Sequence, residues 1–170
     1  MSQTTRTPIK LRTSGIVAAS LFALDAFVMN QGAIAFLMLV ISVFILLPIA
    51  VYHQFKYRDG RQRYMRSAVY ASAALLVFGA NYVNNSIAQA RARELVEVIE
   101  RYHTENENYP KSLQELVPRY IDKVPRAKFA MPGEFYYATS ENGAVLFYME
   151  LPPFGRSTYD FEKRSWGYLD

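Results

Sequence analysis

The sequence predicts a membrane-bound α+β protein, with three transmembrane helices and a C-terminal domain of helix and antiparallel sheet outside the membrane. Hydrophobic residues fill 51% of the 170 positions, yet the mean hydropathy is −0.03, so apolar and polar stretches must be segregated along the chain. In addition, the uncharged stretch 67–87 passes, without an intervening proline, into a charged amphipathic stretch that reaches residue 109. We interpret these stretches as one long helix that leaves a membrane.

The first two transmembrane helices are predicted from residues 15–54. This segment holds more apolar positions than one span needs, and the turn residues Asn30-Gln31-Gly32 divide it into two arms. We therefore expect a transmembrane helical hairpin. Its first arm must begin near Leu11, because a later start would leave it short of the roughly 20 residues that cross a bilayer. Pro48 lies in the second arm and predicts a local irregularity there.

The distribution of basic residues predicts the orientation in the membrane. The tail 1–14 is basic without an acidic residue, and the short loop 55–66 carries many basic residues against a single Asp59. Positively charged segments of this kind stay in the cytoplasm. We therefore expect a cytoplasmic tail, a cytoplasmic loop, a third span at 67–87 and an extracytoplasmic domain at 88–170. The basic residues concerned are Arg6, Lys10, Arg12, Lys56, Arg58, Arg61, Arg63 and Arg66.

A cleaved export signal is the alternative to a retained first arm. The basic start, the apolar stretch and Ala33-Ile34-Ala35 match the general pattern of such a signal. However, residues 36–47, which would follow the cleavage point, are more apolar than the residues before it. A mature N-terminus usually turns polar instead, so we favour retention.

Helical periodicity returns in the first part of the C-terminal domain. Leu95, Ile99 and Tyr102 recur at the spacing of one helix face and predict a buried stripe on the long helix. Ser112 with Glu115 three residues later predicts the capped start of a second, short helix. The domain is therefore expected to contain two helices before its sheet.

The rest of the domain predicts an antiparallel meander of four strands. The segments 134–141 and 144–151 are rich in Tyr, Phe and Val, and Asn142-Gly143 between them predicts a two-residue hairpin turn. Residues 158–162 and 166–169 fit two further strands. With this turn, Ala138 pairs with Phe147, and the face that covers the helix is expected to carry Ser140, Val145, Ala138, Phe147, Tyr136, Met149 and Leu151.

Residues 102–125 contain a Tyr, a polar loop ending in Asn108-Tyr109-Pro110, the helical run 113–116 and an exit at Val124-Pro125. With the membrane helix before them and the closing segments 159–161 and 166–168, residues 67–170 resemble a type IV pilin or a type II secretion pseudopilin. The resemblance implies a pilin-like fold for 88–170 and a place in a cell-envelope assembly. The prepilin cleavage motif is missing, since the fifth residue after Gly15 is Ser20 rather than Glu.

Polar residues in the predicted spans are candidates for functional contacts. Asp25 is the acidic residue of the apolar spans, where a charge costs about 3 kcal/mol on insertion scales. A structural or partner-facing contact is the favoured interpretation, and a proton or ion relay is the alternative. Asn81, Asn84 and Asn85 share a helix face near the outer end of the third span. We expect them to hydrogen-bond across to another helix.

The sheet also predicts a candidate partner face. If one face covers the helix, the side chains of Phe135, Tyr137, Leu146 and Tyr148 remain on the other and offer an apolar surface to a protein. The alternative, which the sequence leaves open, is that loop 122–133 folds over these side chains.

No pattern in the sequence predicts catalysis, a cofactor or a metal site. The chain has no cysteine, and its histidines, His53 and His103, fall on opposite sides of the predicted membrane. The net charge of +4 follows from the basic segments beside the spans, so nucleic acid is not an expected partner.

We expect a non-enzymatic interaction or assembly subunit of a cell-envelope complex, located in a bacterial inner membrane as a multi-pass protein. Its partners would be other envelope proteins, membrane lipid or a second copy of the chain. The alternative is a small transport or sensor component that uses Asp25.

Overall fold

The computed structural model describes residues 11–140, 143–151 and 155–169. These residues form two compact units. The first comprises the described residues up to Ala26 together with Gly32–Ala80. The second comprises Phe27–Gln31 together with the described residues from Asn81 onward. The helix that contains both Ala80 and Asn81 is continuous, so it contributes residues to both units.

Two helical segments precede that helix. Helix α1 (Leu11–Ala23) continues as a π-helical stretch, Leu24–Met29. After a turn, α2 (Ala33–Ile41), a second π-helical stretch (Ser42–Leu46) and α3 (Leu47–Tyr57) follow one another directly. The turn has positive φ at Asn30 and at Gly32, as the predicted turn residues allow. The two helical arms of the predicted hairpin are therefore present, and the first is helical from Leu11, where the description begins.

Pro48 lies at the start of α3 without interrupting the arm. A proline has no N–H for the carbonyl four residues earlier, which weakens an ordinary α-helix at this point. Here the wider π-helical turn comes directly before it, and the Leu47 N–H donates to the Ser42 carbonyl across that turn. The irregularity expected at Pro48 is thus a short π-helical insertion.

Helix α4 (Arg61–Asn106) is a single helix of 46 residues and confirms the predicted long helix, although it begins earlier than Ser67. In the second unit Leu95 and Ile99 are buried, as the spacing predicts, together with Ala88 and Ala92, whereas Tyr102 of the predicted stripe is only partly buried. The helix ends where Glu107 adopts positive φ. The predicted short helix is a 3₁₀ turn, Leu113–Leu116.

The predicted cap of this turn by Ser112 is wrong, because the Ser112 side chain makes no capping hydrogen bond. Glu115 instead satisfies a backbone donor in front of the turn: its Oε2 accepts from the Lys111 N–H at 2.8 Å. This bond corresponds to the carboxylate half of a capping box, displaced by one residue from Ser112 to Lys111.

The sheet is an antiparallel meander of β1 (Phe135–Ser140), β2 (Gly143–Leu151), β3 (Gly155–Asp160) and β4 (Ser165–Leu169), in that spatial order. The four-stranded meander is therefore confirmed. The predicted register of the first hairpin is wrong by two residues, because Ala138 pairs with Val145 rather than with Phe147. Gly143 already pairs with Ser140, so it belongs to the strand and not to the connection. The expected turn residue Asn142 lies outside the described residues.

The prediction of which sheet face covers the helix is also wrong. Leu146, Tyr148, Phe135 and Ala144 are buried in one core with the α4 stripe. The expected face is only partly buried, and its Tyr136 and Phe147 rings stack on each other at 5.0 Å. The same core also receives Leu113, Leu116, Ala127 and Phe161, with Val124 packed against it. These distant residues fill the space beside Leu146 and Tyr148, so the larger apolar set lies on that face.

Candidate functional site

Asp25 is fully buried in the first unit and closes the turn between the two helical arms. Its Oδ1 accepts from the Gly32 N–H and its Oδ2 from the Ala35 N–H, both at 2.8 Å. These amides open α2, and no earlier turn of that helix supplies acceptors for them. A carboxylate also meets the positive end of the helix dipole favourably. The arrangement makes Asp25 the capping residue of α2.

A second buried polar contact joins α4 to the π-helical stretch in the first unit. Ser42 Oγ donates to the Ser67 carbonyl at 2.7 Å, and Ser67 Oγ donates to the Ser42 carbonyl at 3.1 Å. The two hydroxyl oxygens are 2.8 Å apart. Small hydroxyl residues let helices approach closely and bond across the contact. Sequence reasoning missed this pair, because the two serines are isolated and lie 25 positions apart.

The three candidate asparagines lie on α4 in the second unit, and the structure gives them different surroundings. Asn85 Oδ1 accepts a hydrogen bond from Lys128 Nζ at 2.8 Å. Asn84 is buried, and Asn81 Oδ1 is buried without a hydrogen-bond partner among the described residues. The expectation of a bond to another helix is wrong for Asn85, whose partner is a loop residue.

Lys128 is the largest of the fully buried side chains in the described part of the molecule. Besides Asn85, its Nζ donates to the Glu150 carbonyl at 2.9 Å. Burial lowers the pKa of Lys128 to about 8, and the nearby Glu150 carboxylate opposes this shift. A buried ammonium with neutral acceptors carries a desolvation cost that a surface lysine does not. Nothing in the sequence distinguishes Lys128 from surface lysines.

Lys128 belongs to a closed loop, residues 126–133, which we call the 126–133 loop. The Ala127 N–H donates to the Gly133 carbonyl at 2.8 Å and closes it. A Cβ at Gly133 would lie 2.5 Å from the Ala130 and Lys128 carbonyl oxygens, so only glycine fits here. The loop therefore has a defined backbone, with Lys128 as its buried anchor.

The predicted partner face is not available to a partner. Phe135, Leu146 and Tyr148 are buried in the core, and Tyr137 is partly buried with its hydroxyl unpaired among the described residues. Burial raises the pKa of both Tyr137 and Tyr148. The alternative in which loop 122–133 folds over these residues holds in part, because Val124 and Ala127 pack in the same core, but the α4 stripe covers the same face.

Exposed apolar side chains occur instead on β4, at one edge of the sheet. All five of its residues are exposed, and among them are Trp166 and Leu169, at 40% and 55%. In the described residues no strand follows β4 on its outer side. An exposed edge with large apolar side chains is a site at which another strand can pair.

The structure gives no support for a metal centre in the residues that it describes. No group of three or more His, Asp or Glu side chains there could hold a metal ion. His53 packs against Tyr57 in the first unit, with ring centroids 5.1 Å apart. His103 stacks on Tyr109 in the second unit, at 4.0 Å. Both imidazoles therefore contact aromatic rings.

Two helical segments are long and apolar enough to cross a membrane, Leu11–Met29 and Ala33–Tyr57. Only 22% of the most apolar window of each is buried within the protein, whereas the core helix of a soluble protein is mostly buried. The third predicted span, 67–87, forms part of α4 and is not among the two segments found in the described residues. Length and composition thus point weakly to a membrane-associated α+β protein.

No protein-family model matches the chain, and neither the curated proteins nor the solved structures give a match. The resemblance of residues 67–170 to pilins therefore stays a prediction from the sequence.

Proposed function

We propose that the chain is a membrane-anchored interaction subunit of a cell-envelope assembly, in which the C-terminal domain binds another envelope protein. The observation that carries the proposal is the exposed edge strand β4, on which Trp166 and Leu169 are exposed at 40% and 55%. Its partner would be an extended segment that adds a strand to the sheet, because the N–H and C=O groups on the outer side of an edge strand can form hydrogen bonds with another strand. The role is binding, without catalysis or a cofactor.

Membrane anchoring is supported by the apolar surfaces of the first two arms. Large side chains such as Phe36, Phe44 and Phe55 are exposed there at 63%, 73% and 84%. In water such a surface is unfavourable, by about 25 cal/mol for each Å² of apolar area. A hydrocarbon environment removes this cost. We therefore propose a multi-pass protein of the bacterial inner membrane, with the chain resembling a pseudopilin in its C-terminal part.

The proposed orientation is supported by charge and by contacts. Residues 55–66 carry the strongest positive bias and belong in the cytoplasm. The turn 27–31 forms one compact unit with the described residues from Asn81 onward. Membership of one unit is expected if the turn and the C-terminal domain lie on the same side of the membrane. This requires residues 67–87 to act as the third span.

The β4 edge is tested by placing charge on it. Replacing Trp166→Lys together with Leu169→Lys should shift the chain from a larger assembly to a smaller one, because two ammonium groups oppose burial of the edge. The measurement is the size of the tagged chain on native gels of native membranes solubilised in mild detergent. A matched control is Thr139→Lys with Ser140→Lys, two exposed positions on β1 at the opposite edge.

Equal assembly size for wild type and the β4 variant would contradict the proposed binding edge. Loss of assembly with the β1 control alone would move the binding site to the other edge. A second, differently tagged copy in the same cells identifies self-association, because the two tags would then migrate together.

A further inference from the structure

We infer that the 126–133 loop inserts its Phe129 and Met131 side chains into the bilayer interface, where Arg91 and Arg126 meet anionic lipid headgroups. The inference rests on the proposed membrane anchoring. It adds a contact between the second unit and lipid. It commits to the surface of a bilayer as the occupant of this apolar loop.

The first observation is the alternation of burial along the loop. Ala127, Lys128 and Ala130 are buried, whereas Phe129 and Met131 are exposed at 62% and 54%. Two large apolar side chains, two positions apart in the sequence, are thus exposed while the buried residues before and between them anchor the loop. A loop that only covered the core would bury these two side chains and expose the lysine.

The second observation is the position of the loop along the chain's candidate membrane helix. The Met131 N–H donates to the Phe27 carbonyl at 3.1 Å. Phe27 lies in the last turn of Leu11–Met29, one of the two segments that could cross a membrane. Since a helix rises about 1.5 Å for each residue, Met131 lies within one turn of the end of that segment. That depth corresponds to the boundary between hydrocarbon and headgroups.

The third observation is charge. Arg91 Nη1 donates to the Arg126 carbonyl at 2.8 Å, and its guanidinium lies 5.4 Å from the centre of the Phe129 ring. Arg126 is itself exposed. Cations beside exposed aromatic and aliphatic side chains are the arrangement that binds anionic interfaces. Neither arginine forms an ion pair with a carboxylate among the described residues.

The lone tryptophan makes a direct test feasible in the full chain. In a Trp166→Phe background, tryptophan is introduced singly by Phe129→Trp, by Phe36→Trp or by Arg101→Trp. The variants are reconstituted into vesicles of phosphatidylcholine and phosphatidylglycerol, with or without bromine on the acyl chains, which quenches nearby tryptophan. Position 36 is an exposed position of α2 in a candidate span, and position 101 is an exposed position about 24 Å beyond Asn85 along α4.

We expect the Phe129→Trp variant to lose a fraction of its emission comparable to that of the Phe36→Trp variant, and the Arg101→Trp variant to lose none. Quenching at position 36 without quenching at position 129 would overturn the loop inference and leave membrane anchoring intact. Quenching at neither position would overturn the anchoring itself. If binding depends on anionic lipid, quenching at position 129 should disappear in vesicles of phosphatidylcholine alone. Quenching that persists there would contradict the proposed contact of the two arginines with anionic headgroups.

Discussion

At the scale of single residues, Lys128 stands out because it is a lysine whose side chain is fully buried in the second unit. Its ammonium is enclosed, and its two acceptors, Asn85 Oδ1 and the Glu150 carbonyl, are both uncharged. The ordinary lysine pKa of 10.5 falls to about 8 because of burial. Between these two pH values the unfolded chain holds a proton that the folded chain lacks. Folding stability contributed by this residue therefore rises with pH across that window and is constant below it.

The replacement Lys128→Met should remove this pH dependence. We expect the melting temperature of wild type, relative to the variant, to increase as the pH rises from about 8 to 10.5. The full chain in detergent is heated at a series of pH values, and the fluorescence of Trp166, the single tryptophan, reports on the second unit. Lys123→Met, at an exposed lysine, is the matched control and should show a constant difference. A flat difference for both variants would contradict the enclosed ammonium.

Asp25 offers a second test at this scale. Asp25→Asn leaves only one acceptor oxygen for the two amides at Gly32 and Ala35 and should cost about 1–3 kcal/mol locally. Hydrogen exchange of the peptide that covers residues 32–35 should accelerate, and Asp59→Asn in the exposed loop should leave it unchanged. Unchanged exchange at 32–35, together with loss of a pH-dependent transport activity, would favour the alternative function in which Asp25 acts as a relay.

At the scale of elements, the stripe on α4 carries the packing of the second unit. Ile99 is fully buried in the core with Leu146 and Leu116. Ile99→Ala should lower the free energy of unfolding by about 2–5 kcal/mol through lost contacts and a cavity. Glu97→Ala, at an exposed position on the same helix, should change it by no more than about 0.5 kcal/mol. Denaturant unfolding of the full chain in detergent, followed by Trp166 fluorescence, measures both. Similar midpoints for the two variants would mean that the stripe does not carry the core.

Elements with a long repeating pattern could be predicted from the sequence, and their partners could not. The α4 helix and the meander follow from periodicity and turn residues, which are local. The choice of sheet face depended on Ala127 and Phe161, which join Leu146 only in the folded chain. Both faces carry large apolar residues, so alternation alone could not decide between them. The Lys128 site required a contact 43 positions away, to Asn85, which no local pattern reveals.

At the scale of the whole molecule, the proposed orientation makes a sharp prediction because the chain has no cysteine. Gln62→Cys and Ser140→Cys place single thiols at exposed positions of the first turn of α4, within the basic segment 55–66, and of β1. An impermeant thiol reagent added to intact cells should label position 140 and should reach position 62 only after the membrane is opened. Labelling of position 62 with protection of position 140 would reverse the orientation.

The cap formed by Asp25 also bears on how such a chain could enter a bilayer. Its amide partners follow only 7 and 10 residues later, so the carboxylate and its donors leave the ribosome almost together. An aspartate that waited for a distant partner would meet hydrocarbon alone, at about 3 kcal/mol on insertion scales. The Gly32 and Ala35 amides can therefore take the place of water around the Asp25 carboxylate early in synthesis. If the two arms enter a membrane as proposed, Asp25 can meet its amide donors as soon as Ala35 has emerged, without waiting for a distant segment.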